Sequence, residues 1–400
     1  MPPALPQQRD FPISTARKIP LIAGLAAALG LSAPAGPALA ASPAVPVRAG
    51  LSQAGRRLIL SVRTSKPLAL AQLARQPRDR DAFLCFELSG GGKARRLCVG
   101  GRRKRATRAG LTVLNAAGEV TARESVTARL KRPEPDKLVL ALLPQDAGLA
   151  PGHYSWRVVV RRRGCQPRPA DRCESSLPGK GERPFRLRPV RAVGCTGGSA
   201  GLVTNGPRDR NVVALTFDDG PSEYTPGFLG VLHEKHVPGT FFEIGQEMSR
   251  YPQTMREILR EGNEIGNHTT HHTEFPGYAE IAPTTELTER ITHFRPCLFR
   301  PPGGAVDSSV IAAAGEDGLL SVTWDVDPAD WANPGSGAVY SRIVDAARPG
   351  SIILMHDGGG DRSGTLAALP SIIDTLRARG YRFATVTELL GHRMVYKPYG

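Results

Sequence analysis

Two adjacent carboxylates are the first residues in this chain with an evident chemical use. The apolar run at 212–217 ends directly in Asp218 and Asp219, and Gly220 and Pro221 follow. A short apolar run predicts a buried strand, and the mouth of a parallel strand is where barrel enzymes place reacting groups. One carboxylate can bind a cation while its neighbour moves protons. The same four residues also form an ordinary turn, so this motif alone leaves both interpretations open.

Two histidines supply the second chemical feature. His268 and His272 are four residues apart, which on a helical turn brings both imidazoles to one side, as two-histidine zinc sites require. Asp219 would complete a set of two histidines and one carboxylate, with open positions for water and substrate. His271 would point about 100° away on such a turn and is interpreted as a bystander. Surface or internally hydrogen-bonded histidines would show the same spacing.

The elements that position these residues alternate between two patterns. After residue 210, strand-like apolar runs are separated by helical patterns, which predicts an α/β domain with parallel strands, as either an open sheet or a barrel. The strand-like runs are at 212–217, 239–244, 321–324 and 351–355, and the clearest helical patterns are at 254–261 and 366–379.

The preceding part of the chain has a different period. Between residues 58 and 188, short strand-like runs alternate with turn residues, which predicts an antiparallel all-β sandwich. Segment 151–156 resembles the turn and strand of bacterial immunoglobulin-like modules, with Tyr154 and Trp156 as core or corner residues and sugar stacking as the alternative. The predicted organisation is a signal peptide at 1–40, a basic sandwich domain at 41–191, a linker at 192–210, a catalytic domain at 211–392 and a tail at 393–400.

Charge and composition agree with two domains. A chain of 400 residues with 40% hydrophobic residues can bury about two cores, and its Gly and Pro content excludes collagen. Residues 41–200 hold 32 Lys and Arg against 11 Asp and Glu, whereas residues 201–400 hold 17 against 25. Basic runs such as 102–105 and 161–163 predict an anionic cell-wall polymer as partner, with a merely solvated surface as the alternative. The export predicted below argues against nucleic acid as the partner of these basic runs.

The N-terminus predicts export. Arg17 and Lys18 precede an apolar run at 21–31 and a small-residue segment that ends at Ala40, which is the order of a secretory signal cleaved near Ala40. The run of eleven residues is shorter than the roughly 20 that a spanning helix needs, although an uncleaved anchor is the alternative. No later stretch predicts a transmembrane span. We therefore expect a secreted or envelope-associated protein.

The six cysteines are interpreted as disulfides, since an exporting compartment lets such bonds persist. A zinc cluster is the alternative, and the absence of any two cysteines with two residues between them argues against it. The predicted pairs are Cys85 with Cys98 across a glycine hairpin, Cys165 with Cys173 across a short loop, and Cys195 with Cys297.

Five short motifs, taken in order, resemble the signatures of the NodB-like polysaccharide deacetylases, also called carbohydrate esterase family 4. The resemblance covers roughly residues 205–392, and five motifs in sequence are far more specific than any one. The motifs are Thr216-Phe217-Asp218-Asp219-Gly220-Pro221, His268-Thr269-Thr270-His271-His272, Arg300-Pro301-Pro302-Gly303-Gly304, Asp327-Pro328-Ala329-Asp330-Trp331 and Leu354-Met355-His356.

This resemblance implies a distorted (β/α) barrel that removes N- or O-acetyl groups from glycans with a divalent metal, usually zinc. It also implies a role for each matching residue. Asp219, His268 and His272 would be the metal ligands. Asp218 would be the catalytic base, held by Arg300. His356 would be the general acid, oriented by Asp330, and Trp331 and Leu354 would wall the pocket for the acetyl methyl group.

Amide hydrolysis explains why these residue types are needed together. It requires an activated water, a stabilised oxyanion and a proton for the leaving nitrogen. The backbone N–H of Gly303, where many relatives carry Tyr, would share in stabilising the oxyanion. The resulting hypothesis is an exported deacetylase acting on peptidoglycan N-acetylglucosamine. The alternatives are a chitooligosaccharide deacetylase, an acetylxylan esterase and, from another class, a non-catalytic wall-binding protein.

Overall fold

The computed structural model describes residues 45–67, 73–75, 77, 82–100, 108–117, 119–161 and 174–399. The predicted signal peptide, the Cys165–Cys173 pair and the basic residues 102–105 and 162–163 lie outside these ranges.

Strands dominate the described residues before Cys195. Alternation along them separates an inward from an outward face, because successive side chains of a strand point to opposite sides. In Arg57–Thr64, for example, every second residue is buried. The strands are β1 (Pro46–Ala54), β2 (Arg57–Thr64), β3 (Phe83–Gly90), β4 (Lys93–Val99), β5 (Arg108–Leu114), β6 (Val120–Thr127), β7 (Arg129–Glu134), β8 (Lys137–Leu142), β9 (Gly152–Arg161), β10 (Glu174–Leu177) and β11 (Arg183–Leu187).

These strands pair antiparallel in two sheets. One has the order β1-β2-β8-β7, and the other has the order β10-β9-β3-β4-β5-β6, with β11 also paired to β9. Leu60 of the first sheet and Phe86 and Trp156 of the second belong to one buried cluster, so the two sheets enclose a shared core. Across the β3–β4 hairpin, Cys85 and Cys98 form a disulfide.

The rest of the chain alternates strands with helices. Its strands are β12 (Val190–Cys195), β13 (Leu202–Val203), β14 (Val212–Asp218), β15 (Gly239–Glu243), β16 (Glu264–Asn267), β17 (Leu298–Phe299), β18 (Leu320–Val322), β19 (Ile352–His356), β20 (Arg382–Phe383) and β21 (Met394–Pro398). Its helices are α1 (Thr225–Lys235), α2 (Gly245–Met248), α3 (Pro252–Glu261), α4 (Tyr278–Thr292), α5 (Ser308–Glu316), α6 (Ser336–Ala346), α7 (Ser363–Ala378) and α8 (Val386–Leu389). In the described ranges, no helix has both the length and the apolar character needed to cross a membrane.

Eight of these strands form a parallel sheet, as the strand–helix alternation predicts. The order is β13-β18-β17-β16-β15-β14-β19, and β20 pairs with β14. Val326, shortly after β18, bridges Ile353 of β19, which brings chain from one end of the strand order beside the other end. The sheet is therefore curled, which is consistent with the (β/α) barrel that the resemblance implies.

Strand pairing also occurs in the segments that the sequence assigned to the linker and the tail. β12 pairs antiparallel with β21, with Cys195 opposite Met394. Cys195 forms a disulfide with Cys297, just before β17. These bonds attach the segment leading out of the β-rich part to the α/β part, so the start of the predicted linker is an ordered strand.

Candidate active site

The predicted site residues lie where neighbouring parallel strands end. Asp218 is the last residue of β14 and His356 the last residue of β19, and the two stand opposite each other in the sheet register. His268 follows β16 directly, and Arg300 follows β17. Because the carboxyl ends of parallel strands share one edge of a sheet, residues distant in sequence meet there.

Asp219, His268 and His272 form a compact cluster of potential metal ligands. One ligand atom from each lies within 4.8 Å of the others. Asp219 Oδ1 is 3.3 Å from His268 Nε2 and 3.1 Å from His272 Nε2. His268 Nδ1 lies 2.7 Å from the carbonyl oxygen of Arg300. A hydrogen bond from Nδ1–H to that carbonyl leaves the Nε2 lone pair directed to the cluster, as a metal ligand requires.

The donor set fits a divalent metal. Asp219 Oδ1 is buried and accepts no hydrogen bond despite its short distances to both histidines. One carboxylate and two imidazoles are the ligands that zinc and similar ions use in catalytic sites. Burial alone would raise the pKa of Asp219, but the two imidazoles lower it below its usual value, so the carboxylate is ionised and ready to bind a cation.

The two histidines reach this cluster from a loop, not from the predicted helical turn. Thr269 and His272 have positive φ values of 67° and 60°, which an α-helix does not allow. Asn267 stabilises the turn, because its side-chain oxygen accepts a hydrogen bond from Thr269 N. His271 lies outside the cluster, as expected. The reason is its contact with helix α4, because its Nδ1 lies 3.1 Å from Glu280 Oε1.

Arg300 holds Asp218 as the resemblance implies. Its Nη1 donates hydrogen bonds to Asp218 Oδ1 at 2.7 Å and to Thr216 Oγ1 at 2.8 Å. The guanidinium is completely buried and lies over the rings of Phe242 and Trp324, 4.1 and 5.6 Å from their centroids. Burial lowers the pKa of Arg300 from its usual value, and Asp218 opposes that shift. The charge-assisted hydrogen bond from Arg300 therefore fixes the buried carboxylate of Asp218 in place.

Asp330 holds His356 in the same way on the other strand. Asp330 Oδ1 lies 2.7 Å from His356 Nδ1, and Oδ2 accepts hydrogen bonds from His356 N and Thr365 Oγ1. Burial alone would lower the pKa of His356, but the hydrogen bond and the charge of Asp330 outweigh it, so the net pKa is raised. With Nδ1 engaged by Asp330, Nε2 is the ring nitrogen that is available for proton exchange.

The three residues predicted for the oxyanion and the acetyl pocket differ in exposure. Leu354 is buried in β19, whereas the side chain of Trp331 is 57% exposed. Gly303 has φ +62° within a 3₁₀ turn, and a Cβ placed on it would lie 3.2 Å from Glu274 Oε1. The left-handed backbone and the nearby carboxylate both favour glycine at this position.

Comparison with known proteins supports one family. The model of the polysaccharide deacetylase family matches residues 205–322. A peptidoglycan-N-acetylglucosamine deacetylase of Bacillus cereus is 41% identical over 195 residues, which are 47% of this chain and 92% of that protein. The chain belongs to the polysaccharide deacetylase family.

Two further proteins show the same likeness to this polysaccharide deacetylase. A chitooligosaccharide deacetylase of a Bradyrhizobium species is 37% identical over 199 residues, covering 44% of this chain and 90% of its own. A crystal structure of a peptidoglycan N-acetylglucosamine deacetylase is 33% identical, with a TM-score of 0.46, and covers 48% of this chain and 94% of its own. The matches cover about half of this chain.

Two buried carboxyl groups of this deacetylase were not predicted as part of the site. Glu243 ends β15 at the same sheet edge, and Asp357 follows His356. A Cβ placed on Gly220 would contact Asp357 Oδ2 and lie 2.6 Å from Glu243 Oε2. Burial raises the pKa of both carboxyl groups, and the nearby charges of Asp218 and Asp219 raise both further. Asp357 also raises the pKa of Glu243. The signal was available in their positions, since both residues stand at strand ends like Asp218.

Proposed function

We propose that this polysaccharide deacetylase is a zinc-dependent hydrolase that removes the N-acetyl group from N-acetylglucosamine in peptidoglycan. The observation that carries the proposal is the Asp219, His268 and His272 cluster, with the ionisable residues Asp218 and His356 at neighbouring strand ends. The names of the two relatives described above support this substrate, since they are a peptidoglycan and a chitooligosaccharide deacetylase.

Asp218 acts as the base. Asp219, His268 and His272 would hold a divalent metal, which would act there as a Lewis acid that lowers the pKa of water and polarises the substrate carbonyl. Asp218 accepts the proton of the attacking water, and the hydrogen bond from Arg300 keeps its carboxylate oriented for that transfer. Because the base is fixed before substrate arrives, no reorganisation is needed during the reaction.

His356 acts as the acid. The departing nitrogen of an amide is a poor leaving group until it is protonated. Asp330 raises the pKa of His356 and engages Nδ1, so that Nε2 carries the proton that the leaving nitrogen takes. The proposed base is therefore held by Arg300 and the proposed acid by Asp330, so each has a separate partner that suits its role.

A substrate screen tests this function. Purified protein is incubated with peptidoglycan fragments, chitooligosaccharides and acetylated xylan, and free amine and acetate are measured separately. We expect both products from N-acetyl glycans, with peptidoglycan fragments preferred, and loss of both with a chelator. Acetate from xylan alone would identify an esterase, and no product from any glycan would favour a non-catalytic wall-binding protein.

We also propose a two-domain organisation and export for this deacetylase. Residues 41–191 form an immunoglobulin-like sandwich domain in front of a distorted (β/α) barrel at 211–392, and the protein is exported after cleavage near Ala40. The two antiparallel sheets with a shared core support the sandwich. The Cys85–Cys98 and Cys195–Cys297 disulfides support an oxidising compartment.

We expect the basic sandwich to retain the enzyme on an anionic wall polymer. On the outward face of the larger sheet, Arg96 and Arg157 both contact Glu87, at 2.6 and 2.7 Å, so two cations share one anion there. Binding of the full-length protein to purified wall should fall steeply between about 0.05 and 0.5 M salt, because counterions screen such contacts. Sedimentation with wall material at several salt concentrations measures this. Retention that does not change with salt would contradict it.

A further inference from the structure

A short segment between the metal-ligand loop and helix α4 carries exposed aromatic side chains. Phe275, three residues after His272, is 59% exposed, and Tyr278 at the start of α4 is 43% exposed. Trp331, which follows Asp330, is also exposed. Large hydrophobic side chains in contact with water lose the stabilisation that burial would give them. Exposed aromatic side chains are thus concentrated beside the candidate active site.

Phe275 is also held in an unfavourable backbone conformation. Its φ is +49°, in the left-handed region, which is unfavourable for a residue with a side chain and suits glycine better. Neither its exposure nor its backbone conformation favours phenylalanine for folding. An exposed and strained residue next to a catalytic cluster indicates a role in function.

The segment is fixed in place by the residues around it. Pro276 is buried next to Phe275. Glu280 of helix α4 accepts hydrogen bonds through Oε2 from His271 N and through its carbonyl from Thr270 N. Thr273 N donates to Thr269 Oγ1. These contacts hold the chain on both sides of Phe275, so its ring projects from a loop of fixed conformation.

Glu274 lies between this segment and the loop that follows Arg300. Its Oε1 would lie 3.2 Å from a Cβ placed on Gly303, so the carboxylate borders the predicted oxyanion position. In the described part of the chain, Glu274 forms no hydrogen bond or ion pair. An exposed carboxylate without a partner, next to an exposed ring, presents a hydrogen-bond acceptor and an apolar surface together.

We propose that Phe275 and Glu274 form a sugar-binding subsite for the glycan residue next to the one that is deacetylated. The aromatic face of Phe275 stacks on the apolar face of a pyranose ring, and Glu274 accepts hydrogen bonds from its hydroxyl groups. Phe275 is three positions after the ligand His272, so their Cα atoms lie within about 11 Å. This inference rests on the proposed function and deepens it: the substrate is an oligosaccharide, and a single sugar leaves the subsite empty.

Variants at Phe275 test the subsite. Phe275→Ala removes the ring, Phe275→Tyr retains it, and Tyr399→Ala removes a comparably exposed aromatic residue at the C-terminal end of the described chain. With an N-acetylglucosamine pentamer as substrate, we expect Phe275→Ala to raise KM about three- to tenfold, the range expected from loss of one stacking contact. Its kcat and metal content should be unchanged. Phe275→Tyr and Tyr399→Ala should resemble wild type.

A short substrate and a binding measurement complete the test. For N-acetylglucosamine itself, kcat/KM of Phe275→Ala should equal that of wild type, because the subsite is not used. Equal losses on the monomer and the pentamer would overturn the subsite and indicate a structural role. Calorimetric binding of the pentamer to wild type, Phe275→Ala and Phe275→Tyr is independent of turnover. Equal affinities of the three proteins for the pentamer would overturn the subsite. If Phe275→Ala binds the pentamer more weakly than wild type but wild type releases no acetate, the proposed function alone would be overturned.

Discussion

Replacing Asp218 with asparagine is expected to lower kcat for N-acetyl removal by about 10²–10⁴, the usual contribution of a general base. An amide keeps the shape of the side chain and can still accept the hydrogen bond from Arg300, but it cannot take a proton from water. Metal content should stay at the wild-type level, because the ligand cluster consists of Asp219, His268 and His272. Acetate release at saturating substrate, with elemental analysis of the same samples, measures both quantities.

A surface aspartate provides the matched control for this change. Asp374 on helix α7 pairs with Lys235 at the surface, and Asp374→Asn should leave kcat unchanged. Thermal unfolding of both variants separates chemistry from stability, since Asp218→Asn removes the negative charge opposite the buried Arg300. Wild-type kcat in a folded Asp218→Asn protein would show that another group is the base.

The second large effect is expected at His356 and Asp330. His356→Ala should lower kcat by about 10²–10⁴, because the leaving nitrogen loses its proton donor. Asp330→Asn should act through His356: without the carboxylate, the raised pKa of His356 falls. The protonated imidazole is the active form and is lost as pH rises through that pKa, so the alkaline limb of the rate profile should move to lower pH.

The pH dependence of kcat/KM for wild type and Asp330→Asn measures this shift. His233, an exposed histidine paired with Glu261, provides a control that should not move the alkaline limb when changed to alanine. An unchanged limb in Asp330→Asn, with a lower rate at every pH, would mean that Asp330 supports structure only and does not set the protonation of His356.

Residues that end apolar runs could be placed from the sequence. Asp218 follows a completely buried strand, and His356 ends another, so parallel pairing brings them to one sheet edge. The partnerships of Arg300 with Asp218 and of Asp330 with His356 span 82 and 26 residues. No local period links residues that far apart, and the order of the five motifs was needed to predict them.

Other features depend on contacts that a local pattern does not contain. The four-residue spacing of His268 and His272 fits a helical turn, but left-handed conformations at Thr269 and His272 make it a loop. Glu243 lies within an apolar run that predicts only a strand, yet its carboxyl group is buried near Asp357. The strand at the start of the predicted linker forms only because β21, almost 200 residues later, pairs with it.

We propose that Asp219, His268 and His272 hold one divalent metal on which deacetylation depends. Metal content per chain, measured by elemental analysis of wild type, His272→Ala and His271→Ala, tests it most directly, because the adjacent His271 contacts Glu280 and lies outside the cluster. We predict that wild type and His271→Ala carry one metal ion per chain and that His272→Ala loses it, together with acetate release. Equal metal content in His272→Ala and wild type would contradict the claim.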